Sequence, residues 1–549
     1  MLEAIVKYLK ERFNGKIREV HKLYDNIWLI EVEKDSLPEI MKALYVDKNA
    51  YYLTMIGTDA RAIEGVFYVD YVMGFFDISS ILIIRAKLDR DNPRYPSVTS
   101  YIPAANWYER EIMEMLGITV ENHPDPRRLI LADNVPEGCY PLRKDFKYNE
   151  RLPLDKNVSN FEVVDKKISI IPYGPYHFAL DEPIFFKFYV DGEKIIDVDY
   201  RLGFAHRGIE KIAESKLNYE KIVFISERIC GICGYAHSEC YIQAIERAAK
   251  VDVPERAKWI RTILLEIERV HSHLLWLGIA SHLVGFESGF MQFWRVREKI
   301  MWLAEELTGN RKMYGMMTIG GVRRDINDRK KKKALEIINE TRKEFKAVVD
   351  ASSKLYTFLS RLKGIGYLSK EDARKMAVVG PVARASGIKI DTRKDYPYEA
   401  YKEFSFDIPV FDEGDAFARV LVKIYEIFES LSIIEQAIDS LPEGSIVSFV
   451  DYIPPYRTSL GMVEAPRGMN IHYIITGKNN TVYRFRVRAP TYANLQAVPL
   501  MLKGYTLADA PLIIGSIDPC ISCTERFLIV DKKGNRKVMT KDDLLRLKR

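Results

Sequence analysis

No apolar run in this chain reaches the ~18 residues that a membrane-spanning helix needs, so the chain does not cross a bilayer by itself. No long block of Lys or Arg occurs either, and the basic tail at 532–549 also carries Asp542 and Asp543. The 82 Lys+Arg stand against 76 Asp+Glu, a net charge of only +6, which argues against nucleic acid as a partner. The N-terminal MLEAIVKYLKERF reads as an amphipathic helix without an apolar h-region, so it is not a secretory signal. Internal repeats and low-complexity tracts are absent. Cysteine is scarce: six in 549 residues do not make a disulfide framework. Without an export signal a reducing cytoplasm is expected, where C-x-x-C pairs bind metals or do redox chemistry more often than they form structural disulfides.

What is present is globular in composition, with 47% hydrophobic and 29% charged residues. Residues 1–90 alternate short helical patterns with β-type runs at 26–32, 51–56 and 81–88, which predicts a small α+β domain. A proline-rich stretch follows, ordered because Trp107, Tyr108, Met113, Met115 and Leu116 need burial. The boundary falls in the polar segment 144–157, giving a first domain over 1–150. Beyond it, β-type segments run from 163 to 200, with Asp191-Gly192 marking a hairpin. The pattern then turns helical, notably over 253–309, 328–362 and 414–441. The second domain is therefore expected to be a predominantly α-helical bundle with a small β portion. The His and Trp stripe on 253–309 (His271, His273, His282, Trp276, Trp294, Trp302) reads as bundle core.

Four of the cysteines form two pairs, Cys230/Cys233 and Cys520/Cys523, while Cys139 and Cys240 stand alone. Spacing i, i+3 sets both sulfurs of a pair on one side of a turn, where they can reach one ion. Four thiolates make a soft site suited to zinc, an Fe–S cluster or a nickel–iron centre. A structural zinc site usually brings its pairs close in sequence, and these lie far apart. From spacing alone, zinc, a redox or Fe–S role, and something rarer stand about equal.

The flanking residues break the tie. R-I-C-G-I-C-G-x-x-H (228–237) and D-P-C-x-x-C (518–523) together resemble the catalytic large subunit of nickel–iron hydrogenases. EAPRG (464–468) and RAPTYAN (488–494) resemble two further motifs of that subunit. GPYHFALDEP (174–183) and GFAHRGIEK (203–211) are similar to the 49 kDa-type, quinone-site subunit of respiratory complex I and its hydrogenase relatives. ANWYEREIMEMLGI (105–118), HPDPRRLIL (123–131) and PLRKDF (141–146) resemble the small 30 kDa-type hydrophilic subunit beside it. Nearly the whole chain is covered, and the best match is the fused large subunit of group 4, formate-hydrogenlyase-type, energy-converting hydrogenases. The resemblance implies a catalytic domain over 151–526 and a C-terminal extension, 527–549, removed on maturation by an endopeptidase cutting after Arg526.

Carried over by position, the resemblance implies a Ni-Fe(CN)2CO centre with Cys230 and Cys520 on nickel and Cys233 and Cys523 bridging nickel and iron. Arg467, after Pro466, would overhang the open metal position, and Asp518 would hold that arginine. Thr491, with Pro490, would hydrogen-bond a cyanide, and His237 would support a bridging sulfur. Glu182 would carry protons from a cysteine thiol. Glu210 matches a glutamate that binds Mg in other groups, where a histidine also serves; here that position is Arg526. His177 and His206 would support proton transfer or contact with a neighbouring subunit. The implied partners are an Fe-S small subunit and other hydrophilic subunits, an integral membrane arm, the maturation endopeptidase and nickel-insertion proteins. The implied location is the cytoplasmic face of the membrane, peripheral. The alternative is a non-catalytic complex I-like quinone-site or scaffold subunit with a zinc-filled or empty four-cysteine site.

Overall fold

Helix α1 (Leu2–Arg12) turns Leu2, Val6 and Leu9 inward, one stripe at helical spacing. It belongs with a five-stranded sheet of β1 (Ile17–Tyr24), β2 (Ile27–Val32), β3 (Tyr51–Ala60), β4 (Val66–Phe75) and β5 (Ser80–Leu88), in the order β1-β2-β5-β4-β3. Strands β2 and β5 are parallel and the other neighbours antiparallel. Every residue of β3 is buried, so the sheet is covered on both faces at that edge, while β1 at the other edge has no buried residue. Helix α2 (Asn106–Leu116) ends at the left-handed Gly117, the usual way to close a helix. The computed structural model describes residues 1–150, 152–153, 168–177, 182–204 and 206–521.

The second part opens with β6 (Ser169–Tyr173), β7 (Phe185–Asp191) and β8 (Lys194–Arg201), an antiparallel sheet in the order β8-β7-β6, with the expected hairpin after Asp191. Helices follow: α3 (Ile209–Lys216), α4 (Gly234–Ala249), α5 (Glu255–Leu283), α6 (Glu287–Thr308), α7 (Asp328–Ser352) and α8 (Ala416–Asp439). The helical pattern over 253–309 is thus two helices. Gly285 adopts φ +80°, and the N–H of Phe286 closes back on the Ser281 carbonyl at 2.8 Å. Helix α6 folds back on α5, with Trp294 donating to the Leu275 carbonyl. That fold leaves Trp294 and Trp302 at the surface, and His282 near the end of α5 is exposed as well, so of the expected stripe only His271, His273 and Trp276 are core.

A second departure is an antiparallel meander late in the chain: β9 (Thr458–Ala465), β10 (Gly468–Thr476) and β11 (Val482–Arg488). Short helices α9 (Pro490–Asn494) and α10 (Ala510–Ser516) follow it. The meander locks onto the first sheet: Arg484 donates to the Gly57 carbonyl and Arg488 to the Leu53 carbonyl, both at 2.9 Å. One hydrophobic core runs from the first sheet into β9 and β10, and a second fills the helical bundle and includes Cys230, Cys233 and Cys520. Among the described residues no helix is long and apolar enough to cross a membrane.

Candidate metal centre

Cys230 lies in the turn before α4 and Cys233 is the N-cap residue of that helix. The Cys233 sulfur is 3.0 Å from that of Cys230, which is 3.3 Å from that of Cys520. The backbone N–H groups of Ile232 and Cys233 aim at the Cys230 sulfur, at 3.3 and 3.1 Å. Such donors at a helix start favour the thiolate. All three cysteines are buried. Thiolates this close repel one another out of water, so the cluster fits a soft cation held among them. Cys523 and Arg526 lie outside the described residues.

Arg467 sits at the tip of the tight β9–β10 hairpin, where Ala465 pairs with Gly468. The hairpin is pinned by a close backbone approach. A Cβ on Gly468 would lie 2.7 Å from the Gly380 nitrogen, and one on Gly380 would lie 2.4 Å from the Arg467 carbonyl oxygen. Both glycines also have positive φ, so neither position accepts a side chain. Asn494 at the end of α9 bridges the same strands of chain: its amide donates to the carbonyls of Val379 and Arg467 and its oxygen accepts from Val379 N–H.

From that tip the guanidinium of Arg467 donates through Nε to the Asp518 carbonyl at 2.8 Å and through Nη2 to Asp518 Oδ1 at 2.7 Å. Asp518 is left-handed, φ +57°, a region that aspartate tolerates better than most residues, and both its carbonyl and carboxylate reach Arg467. Its other oxygen, Oδ2, accepts from Lys423 Nζ at 2.6 Å. Burial works against the Asp518 charge, yet Arg467 and Lys423 hold its carboxyl below the usual range. Burial also opposes the Arg467 charge, but Asp518 and the sulfurs of Cys520, Cys233 and Cys230 keep it protonated.

The other sequence-derived residues fall at differing ranges. Thr491 Oγ1 accepts the Cys520 N–H at 3.2 Å, so Thr491, which follows Pro490, abuts Cys520. Glu182 lines a small, partly open cavity with Trp276, Asp518 and Pro519. His237 Nδ1 lies 3.1 Å from His472 Nε2 and accepts from the Asn470 amide, both on β10. Pro466 is buried in the hairpin. His177 packs its ring on Tyr173. His206 lines a separate cavity with Glu111, Glu210 and Arg486.

Glu210 does not fit magnesium. Its Oε2 accepts from Arg484 at 2.9 Å, and its Oε1 accepts from Val487 N–H at 3.1 Å and Arg486 at 3.3 Å. Two guanidiniums stand where a divalent cation would have to sit, and they repel it. Sequence reading also missed residues that build the site. Glu268 on α5 accepts the N–H groups of Tyr235 and Ala236, both at 2.8 Å, and so holds the start of α4. Burial pushes its carboxyl up to about 8. Asn494 ends a motif already singled out, which was a signal; Lys423 shares the buried face of α8 with Arg419 and Glu426 and offered none.

Three family descriptions match the chain: "Nickel-dependent hydrogenase" over 207–283, "Respiratory-chain NADH dehydrogenase, 49 Kd subunit" over 284–455 and 449–526, and the matching "30 Kd subunit" over 30–152. Formate hydrogenlyase subunit 5 of Escherichia coli is 43% identical, the match covering 98% of this chain and 96% of that protein. Membrane-bound hydrogenase subunit alpha of Pyrococcus furiosus is 40% identical over 69% of this chain and 92% of its own length. The C/D 1 polypeptide of NADH-quinone oxidoreductase from Aquifex aeolicus is 32% identical over 96% and 94%. Among solved structures, a chain of the archaeal membrane-bound sulfane sulfur reductase complex matches at TM-score 0.63 and 33% identity, covering 66% of this chain and 100% of that one. With Cys230, Cys233 and Cys520 converging, and a 30 kDa-type portion fused ahead of a 49 kDa-type one, the chain belongs to the energy-converting hydrogenase large-subunit family, in its fused, formate-hydrogenlyase-type branch.

Proposed function

We propose that this chain is the catalytic subunit of a membrane-associated nickel–iron hydrogenase that reduces protons to H2 or runs the reverse, coupled to ion translocation. The observation that carries this reading is the cluster of Cys230, Cys233 and Cys520 sulfurs beside Arg467, whose charge those sulfurs help to stabilise. Cys523 is the fourth donor, and the group held is Ni-Fe(CN)2CO without magnesium. When bound, that group supplies a centre at which H2 is formed from, or split into, protons and electrons.

The chain's own residues handle the rest. Arg467 presents a guanidinium that stays charged and orients a small molecule by hydrogen bonds. Asp518 holds it in place. Thr491 ties its hydroxyl to the backbone of Cys520, fixing that cysteine against α9. Glu182, in the cavity beside Asp518 and Pro519, carries the proton between a cysteine thiol and the outside. Electrons come from an Fe-S partner, because Cys139 and Cys240 are too few to hold a cluster. Residues 1–150 and 151–526 are the hydrophilic and catalytic domains, on the cytoplasmic face beneath an integral membrane arm. The extension 527–549 is cut off after Arg526 once nickel-insertion proteins have filled the site. An intact mass of nickel-loaded enzyme that still includes the tail defeats the cleavage.

The rival reading is a complex I-like scaffold or quinone-site subunit, favoured by the 32% identity to the Aquifex aeolicus protein. Elemental analysis of the complex purified with its native partners decides between them. About one nickel per chain, with iron beyond the partners' clusters, is expected of the hydrogenase. Zinc alone, or no metal in a chain already cut, overturns it.

A further inference from the structure

Asp518 is gripped by two buried cations, not one. Arg467 and Lys423 are 3% and 1% exposed, and they take separate oxygens of its carboxylate, Oδ1 and Oδ2. Lys423 reaches it from the middle of α8, its ammonium 4.5 Å from the centre of the Trp276 ring. One turn further on, Glu426 is held by Arg384 at 2.7 Å and by His273 at 2.8 Å. Lys423 is therefore fixed at the head of a buried array of charges and is not a loose surface cation.

Other buried arginines show what a guanidinium does with a carboxylate that no second cation claims. Arg85 closes a two-pronged fork on Asp70, Nε to Oδ1 and Nη2 to Oδ2, both at 2.7 Å. Arg486 also forks onto its carboxylate, Glu111, Nη1 to Oε1 and Nη2 to Oε2. That fork is the preferred geometry of the pair. Arg467 does not make it. Its Nε goes to the Asp518 carbonyl, one Nη2 bond goes to Oδ1, and among the described residues Nη1 has a long 3.4 Å contact with Ser272. The oxygen that would complete the fork is the one Lys423 occupies.

We infer that Lys423 is a positioning residue for the metal site: by holding Oδ2 of Asp518 it prevents a bidentate fork and leaves one edge of the Arg467 guanidinium available to the cysteine side. The inference rests on the hydrogenase reading above. Without Lys423, Asp518 swings both oxygens onto Arg467, and the donors that serve the reacting molecule are drawn off. The cysteines are untouched, so nickel is still held.

The experiment uses the whole complex with its native partners and compares Lys423→Met with Lys423→Arg. Nickel content, H2 turnover and the infrared bands of the iron-bound diatomic ligands are read on each. The Met variant is expected to keep nickel, shift those bands, and lose about ten- to a hundredfold in kcat with little change in KM, the cost of a misplaced group. The Arg variant, which can still claim Oδ2, is expected to return to within about threefold of wild type. A nickel-loaded Met variant within about twofold of wild type overturns the inference, and so does an Arg variant as impaired as the Met one. Should the Met variant take up no nickel, Lys423→Gln decides, because it keeps an uncharged donor to Oδ2. Turnover within about tenfold supports the inference, and a deeper loss overturns it. A wild-type complex with neither nickel nor H2 turnover defeats the hydrogenase reading itself.

Discussion

Two buried charge clusters are built from the same residue types and used in opposite ways. At the junction between the first sheet and the late meander, Arg486 forks onto Glu111, whose Oε2 also accepts from Tyr492 at 2.8 Å. Arg484 bridges Glu210 and Glu214, and Lys144 takes the remaining oxygen of Glu214. Three cations face three carboxylates, and the cluster is closed. At the metal centre Arg467 and Lys423 share one carboxylate, Asp518. One positive charge is left over, and it faces thiolates. Closed forks hold two parts of a chain together; an incomplete one keeps donors for chemistry.

The largest effect should come from emptying the thiolate side. Cys523→Ala is expected to abolish H2 turnover, by about a thousandfold or more, and nickel binding with it, as metal analysis of the purified complex would show. The thermal transition of the junction should stay where it is. Next, Arg486→Met strips a buried partner from Glu111 and Glu210 and should cost about 3–5 kcal/mol, read by calorimetry. Folded molecules should still carry nickel. Loss of nickel without loss of stability would erase the distinction between the clusters.

A smaller effect separates them by pH. Burial, with Lys423 nearby, pulls His273 from 6.5 down to about 4, despite Glu426 at 2.8 Å. The folded value lies below the unfolded one, so this contribution is complete above about pH 6.5 and fades as pH falls toward 4. His273→Gln should flatten that acid-side loss, worth up to about 3 kcal/mol, in denaturant titrations between those pH values. The smallest expected effect is none: chelating magnesium should leave the melting temperature of the complex unmoved. A drop that added magnesium reverses would return Glu210 to a metal.

The sequence made the site's chemistry legible because both cysteine pairs, Arg467 and Asp518 each sit inside a short motif. Among the described residues the fold brings the sulfurs of Cys230, Cys233 and Cys520 together and sets Asp518 on Arg467. Residues that act across the fold were not legible. Lys423 comes from α8, and its partner lies 95 positions away. Glu210 looked like a metal ligand until the fold brought in Arg484 and Arg486 from more than 270 positions away. The meander was missed for a different reason. Strand β10 is buried at every position, so it lacks the alternation that betrays a half-exposed strand. The break at Gly285 hid inside an apolar rhythm that continues on both sides.

The fork on Glu111 also has a consequence for synthesis. Its guanidinium lies 375 residues downstream, on β11. At about 5–20 residues per second, a ribosome delivers Arg486 tens of seconds after Glu111 has left the tunnel. Throughout that interval α2 of the emerging N-terminal part holds a carboxylate whose partner does not yet exist, so its face toward the meander cannot finish closing. Carrying both groups on one polypeptide bounds the wait by elongation alone. Two separate chains would wait instead for a chance encounter, at a rate set by their concentrations.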